Sequence, residues 1–135
     1  MAANDLIVSE ADGSIRFGNH KLKEKTKLED FPHAGDLYKV KTYATLTKLE
    51  RNGLFLYESE PGTTVKNFVE NENGLSFVVS GDEDAQITVG LAEDTEYDVV
   101  IGGEEIGRMK TNLGGKLSIS VELAGVDEVK VSIVK

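Results

Sequence analysis

Short runs of acidic residues are the part of this chain whose residue types could do chemistry, because carboxylate oxygens bind calcium. The runs are Asp82-Glu83-Asp84, Glu93-Asp94 with Glu96, Glu104-Glu105 and Asp127-Glu128, each in a predicted turn. In an up-and-down sheet, connections alternate between the two ends, so 82–84, 104–105 and 127–128 would gather at one end. The predicted calcium ligands are therefore Asp82, Asp84, Glu104 and Asp127. None of the runs has the spaced Asp-x-Asp-x-Asp-Gly pattern, so the alternative is solvated turns and no cofactor.

Tyrosines are the candidate binding residues, because sugar and protein partners both use exposed aromatic rings. The chain has four Tyr, five Phe and no Trp. Tyr97 falls on an alternating apolar position, so we expect it in the core. Tyr38, Tyr43 and Tyr57 then remain as a predicted binding face in the N-terminal half.

Residue patterns of catalytic sites are missing. The chain has no cysteine, which excludes thiolate chemistry, and its two histidines, His20 and His33, both lie beside loop residues. Ser80 lacks the first glycine of a Gly-x-Ser-x-Gly elbow. The glycine-rich segments 102–107 and 112–116 lack the phosphate-loop pattern and are predicted to be hairpin turns. We therefore expect a protein that is not an enzyme, with a small glycan hydrolase as a remote alternative.

Charge is distributed unevenly along the chain. Residues 1–60 hold nine basic and ten acidic residues, whereas residues 61–135 hold six and fourteen. Lys21, Lys23, Lys25 and Lys27 alternate, and as an extended edge segment they would form one basic face. The two halves would then have complementary charge, so this lysine segment is a predicted assembly surface. Net acidity argues against nucleic acid and anionic membranes as partners.

The elements that position these residues are short strands. From Leu75 onward, apolar residues fall on every second position and turns recur about every ten residues. Strands are predicted near 64–69, 75–80, 85–91, 97–101, 105–110, 117–123 and 129–134. Strands of this kind predict an all-β fold with little helix, an antiparallel β-sandwich or jelly-roll-like sheet pair of about ten strands.

The N-terminal half is less regular. Strands are expected near 5–9 and 14–18, joined by Asp12-Gly13, and over 38–43. Asn52-Gly53 predicts a two-residue hairpin that pairs Arg51 with Leu54, Leu49 with Leu56, and Thr47 with Glu58. Residues 31–35 contain Pro32 and are predicted to interrupt the sheet. The whole chain is expected to be one β domain, with a seam at 60–63 between an irregular unit (1–60) and a β-sandwich (63–135).

Location follows from what the sequence lacks. The first ten residues have no basic segment and too few consecutive apolar residues for a signal peptide. No apolar run is long enough to span a bilayer. We therefore expect a cytoplasmic protein.

Two family resemblances accompany these patterns. Residues 97–121 resemble the last hairpins of small β-sandwich domains appended to bacterial polysaccharide-degrading enzymes. The whole chain, notably 36–42 and 49–53, resembles a group of short all-β proteins from anaerobic Firmicutes often labelled endosialidase. The resemblances imply an all-β fold and a connection with glycans, and they transfer no catalytic residue to this chain.

Two functions fit these features. The first is a non-enzymatic β-sandwich protein that acts by self-association, as a homo-oligomer, or by binding another protein. The alternative is a carbohydrate-binding module, with calcium assisting the contact with a glycan.

Overall fold

The computed structural model describes residues 6–135, which form 13 β-strands. The strands are β1 (Ile7–Ser9), β2 (Ile15–Phe17), β3 (Thr26–His33), β4 (Asp36–Tyr43), β5 (Leu46–Arg51), β6 (Leu54–Glu60), β7 (Thr64–Asn71), β8 (Gly74–Ser80), β9 (Ala85–Gly90), β10 (Glu96–Ile101), β11 (Glu104–Lys110), β12 (Lys116–Val121) and β13 (Val129–Val134). The prediction of an all-β fold with little helix is confirmed. Residue 5, the predicted start of the first strand, and the first half of the segment tested for a signal peptide lie outside the described residues.

Two antiparallel sheets pack face to face as a sandwich. Sheet A has seven strands in the order β1-β2-β7-β8-β13-β10-β11, and sheet B has six in the order β12-β9-β6-β5-β4-β3. Strands from both sides of residues 60–63 are neighbours in each sheet: β2 pairs with β7, and β6 pairs with β9. The two halves of the chain are therefore built into the same pair of sheets.

Alternation decides which side chains enter the core. In β12, Leu117, Ile119 and Val121 are buried, whereas the residues between them are exposed. The seven strands predicted from residue 64 onward all exist, with ends that differ by at most two residues. No helix within residues 6–135 has the length and apolar character needed to cross a membrane.

The hairpin at Asn52-Gly53 forms as predicted, but its register shifts. Both turn residues have positive φ, 52° and 79°, and Arg51 pairs with Leu54. A β-bulge next to Leu49 then places one extra residue in β6, so Leu49 faces Tyr57 instead of Leu56. Thr47 likewise faces Ser59 rather than Glu58. Because the bulge breaks the alternation, Leu56 and Tyr57 are both buried.

The predicted interruption at 31–35 is wrong for its first three residues. Phe31, Pro32 and His33 belong to β3, and only Ala34 and Gly35 form the turn. Proline is tolerated because β3 is the outermost strand of sheet B, where one row of backbone N–H groups has no partner strand. A bulge at Asp30, with φ 57°, absorbs the local irregularity.

Replacing Gly53 with Val tests the Asn52-Gly53 turn. A Cβ at Gly53 would meet no atom within 4 Å, so the effect comes only from the backbone, whose φ of +79° strains a β-branched residue. We expect the free energy of unfolding to fall by about 1–3 kcal/mol in denaturant titration. Gly103→Val makes the same substitution in the β10–β11 turn, where φ is 82° and a Cβ would also meet no atom within 4 Å. It serves as the matched comparison from a second hairpin. An unchanged midpoint for Gly53→Val would contradict the turn geometry.

Candidate functional site

A cleft of about 630 Å³ opens between the sheets at one end of the sandwich, which we call the turn pole. The β5–β6, β7–β8, β9–β10 and β11–β12 connections meet there. Apolar groups in its lining are Leu54, Phe55, Leu56, Leu91 and Tyr97, and charged groups are Arg51, Glu70, Glu72, Glu93, Lys116 and Lys135. A cleft of this size and mixed lining is typical of a binding site for a small molecule or a short segment.

One wall of the cleft is held by hydrogen bonds between the β9–β10 and β11–β12 connections. The Leu91 N–H donates to the Gly115 carbonyl at 2.7 Å, and the Thr111 hydroxyl donates to the Ala92 carbonyl at 2.6 Å. At Gly115, φ is +78° and a Cβ would lie 2.4 Å from the Leu91 carbonyl oxygen, so the close approach requires glycine. The Gly114-Gly115 segment joins the two sheets and is not the predicted hairpin turn.

An ion pair between the sheets borders the cleft. Arg51 of sheet B donates to the carboxylate of Glu70 in sheet A. This hydrogen bond raises the pKa of Arg51 further above its usual value. Leu54 and Leu113, which are 72% and 79% exposed, are the most exposed large apolar side chains described. Leu54 lines the cleft and Leu113 precedes the lining residue Gly114, so the rim of the cleft carries apolar groups.

The predicted tyrosine face does not exist as a single surface. Tyr57 is 0% exposed and Tyr38 is 7% exposed, so neither ring can stack on a ligand. The Tyr57 hydroxyl bonds with the Thr63 hydroxyl at 2.7 Å, and burial raises the pKa of Tyr57 well above its usual value. Tyr43 alone is partly exposed, on the outer face of sheet B. Tyr97 lies in the core as expected, where its oxygen accepts the Ala92 N–H at 3.1 Å.

The four predicted calcium ligands lie at the same end of the sandwich but do not converge. We call this end the acid pole, and it contains the β8–β9, β10–β11 and β12–β13 connections. The end of β8 and the end of β10 both lie beside the start of β13, because Val79 pairs with Val129 and Ile101 pairs with Val131. Asp82 instead forms an ion pair with Lys21 at 2.7 Å.

Asp84 is also engaged, because it accepts the backbone N–H groups of Leu123 and Ala124, both at 3.0 Å. Within residues 6–135, no group of three or more histidine or acidic side chains could hold a metal ion. Glu104 and Asp127 therefore belong to no such group. The predicted calcium ligands therefore share one pole but are not grouped as a metal site among the described residues.

Both histidines have structural hydrogen bonds. The His20 ring bonds through Nδ1 to the Thr64 hydroxyl at 2.7 Å, and burial lowers the pKa of His20 although Asp82 lies nearby. His33 bonds through Nδ1 to the Ser9 hydroxyl at 2.7 Å and through Nε2 to the Gly13 carbonyl at 3.1 Å. The second contact ties the β1–β2 turn to β3.

The four alternating lysines do not form one basic strand. Lys21, Lys23 and Lys25 precede β3, and only Lys27 lies within it. The ammonium group of Lys21 is paired with Asp82, which it stabilises as a carboxylate, so the pKa of Asp82 is lowered. Lys25 lies over the Tyr43 ring, 5.9 Å from its centroid. The predicted assembly surface is therefore divided between two regions.

A different set of lysines does share one surface, on the outer face of sheet B. Cross-strand pairing sets Lys27 opposite Lys41, and Lys41 opposite Lys48, in one row across β3, β4 and β5. Lys39 lies two residues from Lys41 on the same face of β4. The ammonium group of Lys25 lies over the ring of Tyr43, which is also on this face. We call these five lysines, with Tyr43 and the adjacent Leu46, the lysine face.

Carboxylates only partly neutralise the lysine face. Glu29 lies 3.4 Å from Lys27 and 3.6 Å from Lys39, and hydrogen bonding to Lys27 lowers the pKa of Glu29. Glu50 lies 3.7 Å from Lys48, and Glu58 faces Lys48 across the strands. Lys41, in the middle of the row, has no ion pair among the described residues. Alternation of Lys39 and Lys41 with the buried Tyr38, Val40 and Thr42 is the sequence signal for this face.

Comparison of the chain with protein-family models, curated proteins and solved structures gave no significant match.

Proposed function

We propose that this protein is not an enzyme and acts by associating with further copies of itself. The observation that carries the proposal is the row of Lys27, Lys41 and Lys48 on a molecule whose net charge is −9. Like charges directly opposite each other weaken a sheet. An acidic partner would offset that repulsion, and the acid pole of another copy has the required charge.

The lysine face also has the apolar component that a protein contact needs. Tyr43 and Leu46 face each other across β4 and β5, and both are partly exposed. Protein interfaces combine an apolar centre with a charged rim, and tyrosine is enriched at their energetic centres. An inorganic anion would use only the lysines, so the pattern favours a protein surface. Nucleic acid and anionic membranes would be repelled by the remainder of the molecule.

We propose the cytoplasm as the compartment of this protein. A chain without cysteine has no disulfide that the reducing cytoplasm could break.

Analytical ultracentrifugation as a function of salt tests the proposed function. We expect a species larger than the monomer at low ionic strength that shifts toward monomer at about 0.5 M salt, where the screening length is a few ångströms. A circular dichroism spectrum unchanged by salt would show that the fold persists. A wild type that is monomeric at every salt and protein concentration would overturn self-association.

Carbohydrate binding is the second candidate, and the Phe55 ring in the turn-pole cleft favours it. The ring is partly exposed, and the Lys116 ammonium group lies 4.8 Å from its centroid. Arg51, Glu70 and Glu93 supply the planar polar groups that hydroxyls bind, and the resemblance to domains of polysaccharide-degrading enzymes supports the same ligand class. A glycan array with and without calcium tests this candidate: hits that Phe55→Ala abolishes would support it, and no hits would remove it.

A further inference from the structure

The β10–β11 hairpin carries exposed acids that nothing in the described structure neutralises. Glu104 and Glu105 begin β11, which is the outermost strand of sheet A, and both are exposed. Neither has an ion-pair partner among residues 6–135. Ile106 follows them and is 49% exposed. We call these three residues the acid tip.

Three other acids at the same pole are already engaged, whereas Glu83 and Asp127 are exposed single carboxylates without an ion pair among the described residues. Asp82 pairs with Lys21, Asp84 accepts two backbone N–H groups, and Glu128 pairs with Lys66 at 2.8 Å. The acid tip therefore combines what the engaged acids lack: two adjacent unpaired carboxylates and an exposed apolar side chain next to them. Its chemistry is the counterpart of the lysine face, where unpaired Lys41 lies beside Tyr43 and Leu46.

We propose that the acid tip of one copy docks on the lysine face of the next. Glu104 and Glu105 point to opposite faces of β11, so the end of the hairpin would meet the lysine face with one carboxylate on each side, near Lys41 and Lys48. Ile106 would cover the apolar pair on β4 and β5. The carboxylates Glu29, Glu50 and Glu58 border the row, so the contact centres on Lys41, which has no partner of its own. This inference rests on the proposed self-association and identifies the two surfaces that make it.

The two surfaces cannot pair within one molecule. The lysine face lies on the outside of sheet B, whereas the acid tip lies at the edge of sheet A. A contact between two different surfaces is heterologous, so each added copy exposes a new lysine face or a new acid tip. The expected product is a ring or an open chain of copies rather than a dimer that buries one patch against itself.

Charge reversal tests the contact. We expect Lys41→Glu with Lys48→Glu, and separately Glu104→Lys with Glu105→Lys, each to weaken association about 100-fold or more at low salt, because like charges then meet. A chain with all four substitutions again has opposite charges on the two surfaces, with the acidic side chains on the former lysine face and the lysines at the former acid tip. This combined variant has the net charge of the wild type, and we expect it to associate again.

Net charge alone predicts a different result, which makes the test selective. Reversing the acid tip reduces the net negative charge and would strengthen association if general repulsion were limiting. Lys110→Glu with Lys130→Glu is the control for the lysine-face variant, because both residues are exposed and lie outside the lysine face and the turn-pole cleft. We expect this control to associate more strongly than the lysine-face variant at each salt concentration.

The outcomes separate this inference from the proposed function. A wild type that associates while the acid-tip variant associates equally well would overturn the acid tip and leave self-association standing. A combined variant that folds, by circular dichroism and thermal melting, but stays monomeric would also overturn the pairing. A monomeric wild type would overturn the proposed function itself.

Discussion

Replacing Tyr57 with Ala is expected to lower the free energy of unfolding by about 3–5 kcal/mol. Tyr57 comes from sheet B and is fully buried against three phenylalanines of sheet A. Its ring makes edge contacts with Phe17, Phe77 and Phe68, at centroid distances of 5.2, 5.5 and 6.4 Å. Alanine would leave a cavity at the place where the two sheets meet. Denaturant titration followed by circular dichroism measures the loss.

Tyr43→Ala is the matched control, because it removes the same side chain from the outer face of sheet B. Tyr43 contacts solvent and the Lys25 ammonium group rather than the core. We expect a change in unfolding free energy of less than about 1 kcal/mol, as for other surface positions. Association at low salt should nevertheless weaken, since Tyr43 belongs to the lysine face. Equal destabilisation by the two substitutions would contradict the burial of Tyr57.

Tyr57 also shows where sequence reasoning fails in this chain. Strict alternation from the Asn52-Gly53 turn pairs Leu49 with Leu56, so Tyr57 is predicted to face outward. One additional residue in β6 shifts the pairing and turns Tyr57 inward. A bulge has no sequence signal here, because no glycine or proline marks it. A shift of one residue changes the face of every side chain beyond it.

Strands β7 to β13 were predictable for a physical reason. All except β7 and β11 alternate buried and less buried side chains over most of their length, so alternation specifies both the strand and its orientation. β3 lacks that signal, because Leu28 and Phe31 are its only apolar side chains packed against the core. Its position at the edge of sheet B also allows Pro32 and the bulge at Asp30, which read as interruptions in a sequence.

The lysine face shows a different limit. The alternation of Lys21 to Lys27 is visible in the sequence, but no apolar residues alternate with all of these lysines, and three of the four lie outside any strand. Lys39 and Lys41 do alternate with core residues, so their outward direction was predictable. Their alignment with Lys27 and Lys48 was not, because it depends on the register of three strands around two turns.

Self-association would explain why the row of lysines is compatible with a stable fold. Lys41 faces a lysine on each side, and each such pair opposes sheet formation by a few tenths to about 1 kcal/mol. Docked carboxylates would reverse the sign of that interaction. Lys41→Glu should therefore weaken association without lowering the free energy of unfolding. This combination distinguishes loss of the contact from unfolding.

The second large loss of stability is expected for Thr63→Val. Thr63 lies in the buried connection between β6 of sheet B and β7 of sheet A. The Thr63 hydroxyl bonds with the hydroxyls of Tyr57 at 2.7 Å and Ser59 at 2.8 Å. Valine has nearly the same shape but cannot bond, so it leaves both buried hydroxyls without this partner. Each unsatisfied group costs about 1–3 kcal/mol, and we expect a total loss of about 2–5 kcal/mol in denaturant titration.

Thr63→Ser separates the hydrogen bonds from the packing. Serine keeps the hydroxyl and removes only a methyl group, which is worth about 1 kcal/mol when buried. The backbone of Thr63 remains bonded to the Thr47 hydroxyl in both variants, through its N–H at 3.0 Å and its carbonyl at 2.8 Å. A larger loss for Val than for Ser would show that the hydroxyl network holds the connection at 61–63 and thereby joins the two halves of the chain. A loss for Ser that exceeds the loss for Val would assign that role to apolar packing, because Val keeps the methyl group that Ser lacks and loses only the hydroxyl that Tyr57 and Ser59 contact.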